Sequence, residues 1–160
     1  MQYCLKCGNP LVTAQIDGRE RKTCSTSCGY VLWDNPVPVV AAIVEYNGAV
    51  VLVRNQAWTQ KFLGLVTGFL EKGESPDAAI LREVKEELGL DGTITSFIGN
   101  YSFFQMNQLI IVYHIQATGT IALNDELAEY KLIPPEKLRP WEFGTGPAVK
   151  DWLANRNQTS

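Results

Sequence analysis

Between Gly68 and Leu90 the chain reads GFLEKGESPDAAILREVKEELGL, a short loop followed by a helix whose two ends are both written in the sequence. Ser75 offers an N-cap oxygen, Pro76 suits the first helical position, Asp77 falls in the first turn, and Gly89 stands where a C-terminal cap belongs. With about 100° of turn per residue, Leu81, Val84 and Leu88 share one stripe, while Glu83, Glu86 and Glu87 gather on roughly the opposite side. The apolar stripe needs a sheet or another helix to cover it. The three carboxylates have two readings. One is the solvated outer face of an amphipathic helix. The other is an oxygen cage, because carboxylates at i, i+3 and i+4 repel one another by a few tenths of a kcal/mol (~0.2–0.5) per pair yet suit a hard divalent cation.

The segments around this helix read as strands. VVAAIVEY and AVVLVRN flank Asn47-Gly48, a two-residue hairpin signal, and FLGLVTGF is a further short apolar run. TITSFIGNYSFF and NQLIIVYHIQATG look like paired strands, EYKLI like another, and GPAVKDWLANR like a closing helix. Strands interrupted by two helices, in a sheet of mixed direction, predict an α/β sandwich rather than a simple parallel fold.

All four cysteines lie near the start, as CLKC at 4–7 and CSTSC at 24–28, with the turn-like IDGRE between them. Each pair ends in Cys-Gly, and a glycine there lets backbone N–H groups turn toward sulfur, as in knuckle-type metal sites. WDNPVP at 33–38 marks a boundary, since proline breaks regular pairing and restrains its predecessor. The chain of 160 residues, 46% of them hydrophobic, can bury a real core. Its net charge of −3 lacks the basic stripe of a nucleic-acid binder. No apolar run is long enough to span a membrane and no signal-peptide pattern opens the chain, so a cytoplasmic location is expected. A reducing compartment then favours metal-bound thiolates over disulfides.

Gly68, Glu74 and the run Arg82-Glu83-Val84-Lys85-Glu86-Glu87-Leu88-Gly89-Leu90 reproduce the pattern G-x5-E-x7-R-E-U-x-E-E-x-G-U, with U aliphatic. On this motif the chain resembles the Nudix hydrolases. The resemblance implies an α/β/α sandwich over about 36–157 that hydrolyses a nucleoside diphosphate linked to another moiety, using Mg²⁺ or Mn²⁺. Glu83 and Glu87 would be the main ligands, Glu86 a further ligand or the general base, and the Thr67 carbonyl an additional contact. Glu74 and Arg82 would lock the loop to the helix. Such a cation would reconcile an acidic protein with a polyanionic substrate, neutralising the diphosphate and activating a water.

The cysteines ahead of the motif, together with NPVPVVAAIV and GFLEKGE, are similar to those of the bacterial NADH pyrophosphatase group. That likeness implies a structural zinc ribbon over about 1–33, with Cys4, Cys7, Cys24 and Cys28 as ligands, and a homodimer. The group's S-Q-P-W-P-F-P-x-S tag is replaced here by NYSFFQMNQL, which keeps the aromatics Tyr101, Phe103 and Phe104 but not the prolines or tryptophan. A dinucleotide such as NADH or FAD is the favoured substrate. ADP-ribose or another nucleotide sugar, and a nucleotide-sensing domain without turnover, are the alternatives. A capped RNA end is a further one, through the local basic patch of Lys6, Arg19, Arg21 and Lys22.

Several other residues carry two readings each. By resemblance, Glu129 matches the position of one more metal-facing glutamate; otherwise it is an exposed strand-end carboxylate, and Glu126 nearby reads as surface. Arg54 could meet a phosphate or form a surface ion pair. Trp58, Phe62, Tyr101 and Phe103 are candidates for stacking on a base, with core packing or a dimer contact as the alternative for the first two. His114, the sole histidine, reads as a satisfied sheet residue.

Overall fold

The computed structural model describes residues 1–57 and 61–158, with side chains through Arg156. The chain divides into two compact units, Met1–Asn35 and Pro36–Ser160. In the first, β1 (Leu11–Ile16), β2 (Arg19–Cys24) and β3 (Val31–Leu32) form a three-stranded antiparallel sheet in that order. Asp17 and Gly18 both take positive φ at the β1–β2 turn, as a two-residue primed hairpin requires. The sheet is small and mostly exposed, and its buried side chains include Cys4 and Cys24.

In the second unit, β4 (Val37–Tyr46) is the central strand. Its second half pairs antiparallel with β5 (Ala49–Asn55) across the Asn47-Gly48 turn, and its first half pairs antiparallel with β6 (Val66–Phe69). On its other edge β4 runs parallel to β8 (Gln108–Thr118), which pairs antiparallel with β7 (Asp91–Phe103). Strand β9 (Leu127–Ile133) closes the sheet beside β5. The order β7-β8-β4-β5-β9 is mixed, as the strand pattern predicts.

Both faces of β4 are covered, which explains its unbroken apolar run. Val40, Ala42 and Val44 pack with Ile80, Val84 and Leu88 of α1 (Pro76–Leu88). Val39, Ala41 and Ile43 pack with Ala148, Val149 and Trp152 of α2 (Gly146–Gln158) on the other face. The result is an α/β/α sandwich. Helix α1 starts and stops where the sequence says it should. Ser75 Oγ accepts from Ala78 N, Pro76 is the first helical residue, and Gly89 sits at φ 70° with its N–H on the Lys85 carbonyl. Among the described residues no helix is long and apolar enough to cross a membrane.

Candidate active site

Strand β6, the loop after it and α1 bring the charged residues together. Gly68 matters because Glu83 lies directly over it: a Cβ there would overlap the Glu83 carboxyl carbon and Oε1. Only a residue without a side chain lets the helix carboxylate approach the strand so closely. Arg82 organises the rest. Its Nε and Nη2 donate to the two oxygens of Glu74 at 2.9 and 3.0 Å, a bidentate fork, and Nη1 donates to Glu83 at 2.8 Å and Glu86 at 3.0 Å. Nη2 also reaches the Phe69 carbonyl, and Glu74 accepts from Glu71 N, so loop and helix are tied at both ends. Glu74 and Arg82 thereby join the loop after β6 to α1.

The three cluster glutamates do not share one solvated face. Glu86 is 55% exposed, whereas Glu87 is 5% exposed, and its Oε2 has no hydrogen-bond partner among the described residues. The outer face belongs to Lys85, whose Nζ pairs with Asp91 at 2.7 Å. Burial is the first cause that pushes the Glu87 carboxyl up to about 8, and the negative charges of Glu83, Glu126 and Glu86 add to it. Glu83 is raised as well, chiefly by burial and against the pull of Arg82. The Arg82 hydrogen bonds hold Glu74 below the usual carboxylate range. A buried carboxylate oxygen without a donor, in a concentrated negative field, fits a divalent cation with oxygen ligands.

These carboxylates line a cleft of about 860 Å³, with Thr67 and Gly68 on its floor and Phe62, Phe103, Trp141 and Phe143 among the apolar residues of its wall. Three of the candidate residues, Glu129, Arg54 and Tyr101, are not among those lining this cleft. Glu129 does not join the cluster: it lies opposite Arg54 in the β5–β9 register, and the two form an ion pair at 2.9 Å. Directly opposed cross-strand residues share a face, so the two side chains meet as the surface ion pair that was the alternative reading of Arg54. Glu126, just before β9, lines the cleft instead. Tyr101 also turns away, donating its hydroxyl to Asp151 of α2 at 2.7 Å. Phe62 and Phe103 do reach the cleft, and Trp58 lies outside the described residues. His114 is held between Thr95 and Glu45 against Trp152, a structural position, with Arg156 also on Glu45.

In the first unit the sulfurs of Cys4, Cys7, Cys24 and Cys28 lie within 4.8 Å of one another. Cys4–Cys28 and Cys7–Cys24 are separated by 3.6 and 3.4 Å, too far for disulfides and close to the edge of about 3.8 Å in a tetrahedron with Zn–S near 2.3 Å. The backbone N–H groups of Lys6 and Thr26 point at Cys4 and Cys24, while Gly8 and Gly29 take the positive φ that folds each knuckle. The Asn9 side chain donates to Cys7, and that bond is the first cause lowering this thiol to about 5, while against a Tyr30 backbone hydrogen bond the Cys24 thiol, burial and the other two thiols push Cys28 up to about 11. The set fits a zinc ribbon. Lys6, Arg21 and Lys22 of the basic patch each donate to a backbone carbonyl of the same unit, and Arg21 stacks on Trp33.

Residues 35–153 match the family described as NUDIX domain. The chain belongs to this family. Among curated relatives, "NAD-capped RNA hydrolase NudC" of Pseudomonas fluorescens is 23% identical over 141 residues, 87% of this chain and 50% of that protein. The chain thus spans about half the length of the curated relatives it matches. Among solved structures, a NUDIX hydrolase from Nitrosomonas europaea has a TM-score of 0.81 at 22% identity, covering 99% of this chain and 93% of that one. An ADP-ribose pyrophosphatase from Streptococcus suis has a TM-score of 0.62 at 19% identity, covering 79% and 94%. At these identities the structural likenesses bear on the fold.

Proposed function

We propose that this NUDIX chain is a divalent-cation-dependent pyrophosphohydrolase. It cleaves a nucleoside diphosphate linked to another moiety, with a dinucleotide such as NADH or FAD as the favoured substrate. The observation that carries the reading is the buried, unpartnered Oε2 of Glu87, beside Glu83 and Glu86 in one cleft. Glu83, Glu86 and Glu87 hold Mg²⁺ or Mn²⁺ in this reading, with Thr67 at the same floor and Glu126 in the place first assigned to Glu129. The bound cation supplies charge neutralisation for the diphosphate and acidifies a water.

The chain's own residues do the rest. Arg82 and Glu74 are positioning residues: the guanidinium orients one oxygen each of Glu83 and Glu86 and leaves their other oxygens for the cleft. Glu86, the most exposed of the three, is the group best placed to take the proton of the attacking water. Water adds to one phosphorus, one P–O anhydride bond breaks, and for a dinucleotide the products are two monophosphates. Zn²⁺ on the four cysteines has a structural role, in a ribbon spanning 1–33 ahead of a catalytic domain spanning 36–157. A homodimer, checked by sedimentation, belongs to the same proposal.

Support for the dinucleotide comes from the Pseudomonas relatives described as NAD-capped RNA hydrolases and from the aromatic wall of the cleft. The test is a comparison of kcat/KM for NADH, FAD, ADP-ribose and a UDP-sugar, with products separated by chromatography. A preference of at least about tenfold (1.4 kcal/mol of transition-state binding) for one dinucleotide supports the reading. A tenfold preference for ADP-ribose or the UDP-sugar replaces it with a nucleotide-sugar diphosphatase.

A further inference from the structure

The cleft is chemically divided. Beside its carboxylates stand Phe62, Phe103, Trp141 and Phe143. Trp141 and Phe143 come from the irregular segment that precedes α2, far from the motif in sequence. Phe62 lies 5.4 Å from Trp141 between centroids in an edge contact at 83°, and 5.1 Å from Phe143 at a 42° tilt. Phe103 lies 6.5 Å from Phe143 at 31°. Trp141 and Phe103 are anchored on the core beneath α2. The path of the segment is built around this cluster: at Gly146 a Cβ would collide with the Trp141 carbonyl and ring, so the chain turns back over Trp141 only because that residue is glycine.

Phe143 is different from the other three. It touches two rings, yet 48% of it is exposed. An aromatic ring fixed in orientation by neighbours, with nearly half its surface open beside a cluster of carboxylates, offers a flat apolar face at little entropic cost. A partly open ring does not need sequence-specific hydrogen bonds to hold a base, since every base presents a π-face.

We propose that Phe143, braced by Phe62 and Phe103, is the platform on which the planar heteroaromatic ring of the substrate stacks. The cleft then selects a nucleotide from both ends, by the cation and carboxylates at the diphosphate and by Phe143 at the ring. The inference rests on the diphosphate reading above and adds a residue and a ligand moiety to it.

The test uses two non-hydrolysable ligands with the same P–C–P core, α,β-methylene-ADP and methylenediphosphonate, titrated calorimetrically into the zinc-loaded full chain with Mn²⁺. Phe143→Ala is expected to weaken the nucleotide by about 5- to 150-fold, the range for loss of one base–aromatic stack, and to leave methylenediphosphonate within twofold. Phe143→Tyr is expected to restore nucleotide affinity, and Phe143→Leu, apolar but not flat, is not. Equal weakening of both ligands, or no change in either, overturns the platform. If the wild-type chain shows no Mn²⁺-dependent binding of methylenediphosphonate, the diphosphate reading itself fails and the platform with it. Thermal melts of the three variants keep a folding defect apart from a binding one.

Discussion

Replacing Glu87 by glutamine isolates the cost of ionising the one cluster carboxylate that is both buried and unpartnered. Folding raises this carboxyl from an ordinary 4.5 to about 8. Between those values the native state keeps a proton that the unfolded chain has released, so native stability falls as pH rises through that window and levels off above it. From pH 6 to pH 9 roughly two units of that difference are traversed, or about 2 to 3 kcal/mol at 1.36 kcal/mol per unit. For a chain of this length that is about 5 to 10 °C in Tm. The assay is a pair of thermal melts, at pH 6 and pH 9, of zinc-loaded protein dialysed free of Mg²⁺ and Mn²⁺. Glu87→Gln keeps the shape without the charge, so the variant should gain that margin over wild type on going from pH 6 to pH 9. Adding Mn²⁺ at pH 9 should raise the wild-type Tm by mass action and barely move the variant. A difference between variant and wild type that is the same at both pH values would refute the reasoning, because Glu87 would then be ionised throughout.

Other residues give independent checks. Gly68→Ala should push Glu83 out of place and lower kcat by about 10² or more, the scale for an ångström of misplacement, with the far-UV spectrum unchanged. Arg82→Lys loses the fork that grips Glu74, Glu83 and Glu86 together, and chemical denaturation should show a loss of about 2 kcal/mol along with reduced kcat. Elemental analysis should find one zinc per chain, lost in Cys24→Ser. His114→Gln should lower Tm through the Glu45 network and leave kcat/KM within about twofold, since this side chain faces α2 rather than the cleft.

The residues that sequence places correctly are those fixed by local rules. Ser75, Pro76 and Gly89 bound α1 because capping chemistry acts within a turn, and the two Asx-Gly turns set their hairpins for the same reason. Glu74, Arg82, Glu83, Glu86 and Glu87 are held on one loop and one helix, so their spacing already encodes their proximity. What the spacing does not encode is depth. The helix wheel puts the three glutamates together but not Glu87 under the surface, because the chain around it, such as the irregular segment of Ala122 and Asn124, comes from elsewhere in the sequence.

The misreadings all concern distant pairing. The choice between Glu126 and Glu129 depends on the register of β9 against β5, which shifts between Arg54 and Asn55, and a one-residue slip changes the face of every side chain. Tyr101 and Phe103 alternate alike on β7 and both pack on the core beneath α2, yet Phe103 also lines the cleft while the Tyr101 hydroxyl donates to Asp151. Trp141 and Phe143 stand in a segment with neither helix nor strand periodicity. Their one visible signal is the pair of aromatics just ahead of Gly144 and Gly146.

The most direct test of the central claim is hydrolysis of a dinucleotide panel by the zinc-loaded chain with Mg²⁺ or Mn²⁺, run beside Glu86→Gln and Glu87→Gln. Metal-dependent release of monophosphates by the wild type, reduced by about 10² or more in both variants, is the predicted result. Tight nucleotide binding without turnover, unchanged by either substitution, would contradict it and leave a nucleotide-sensing domain in its place.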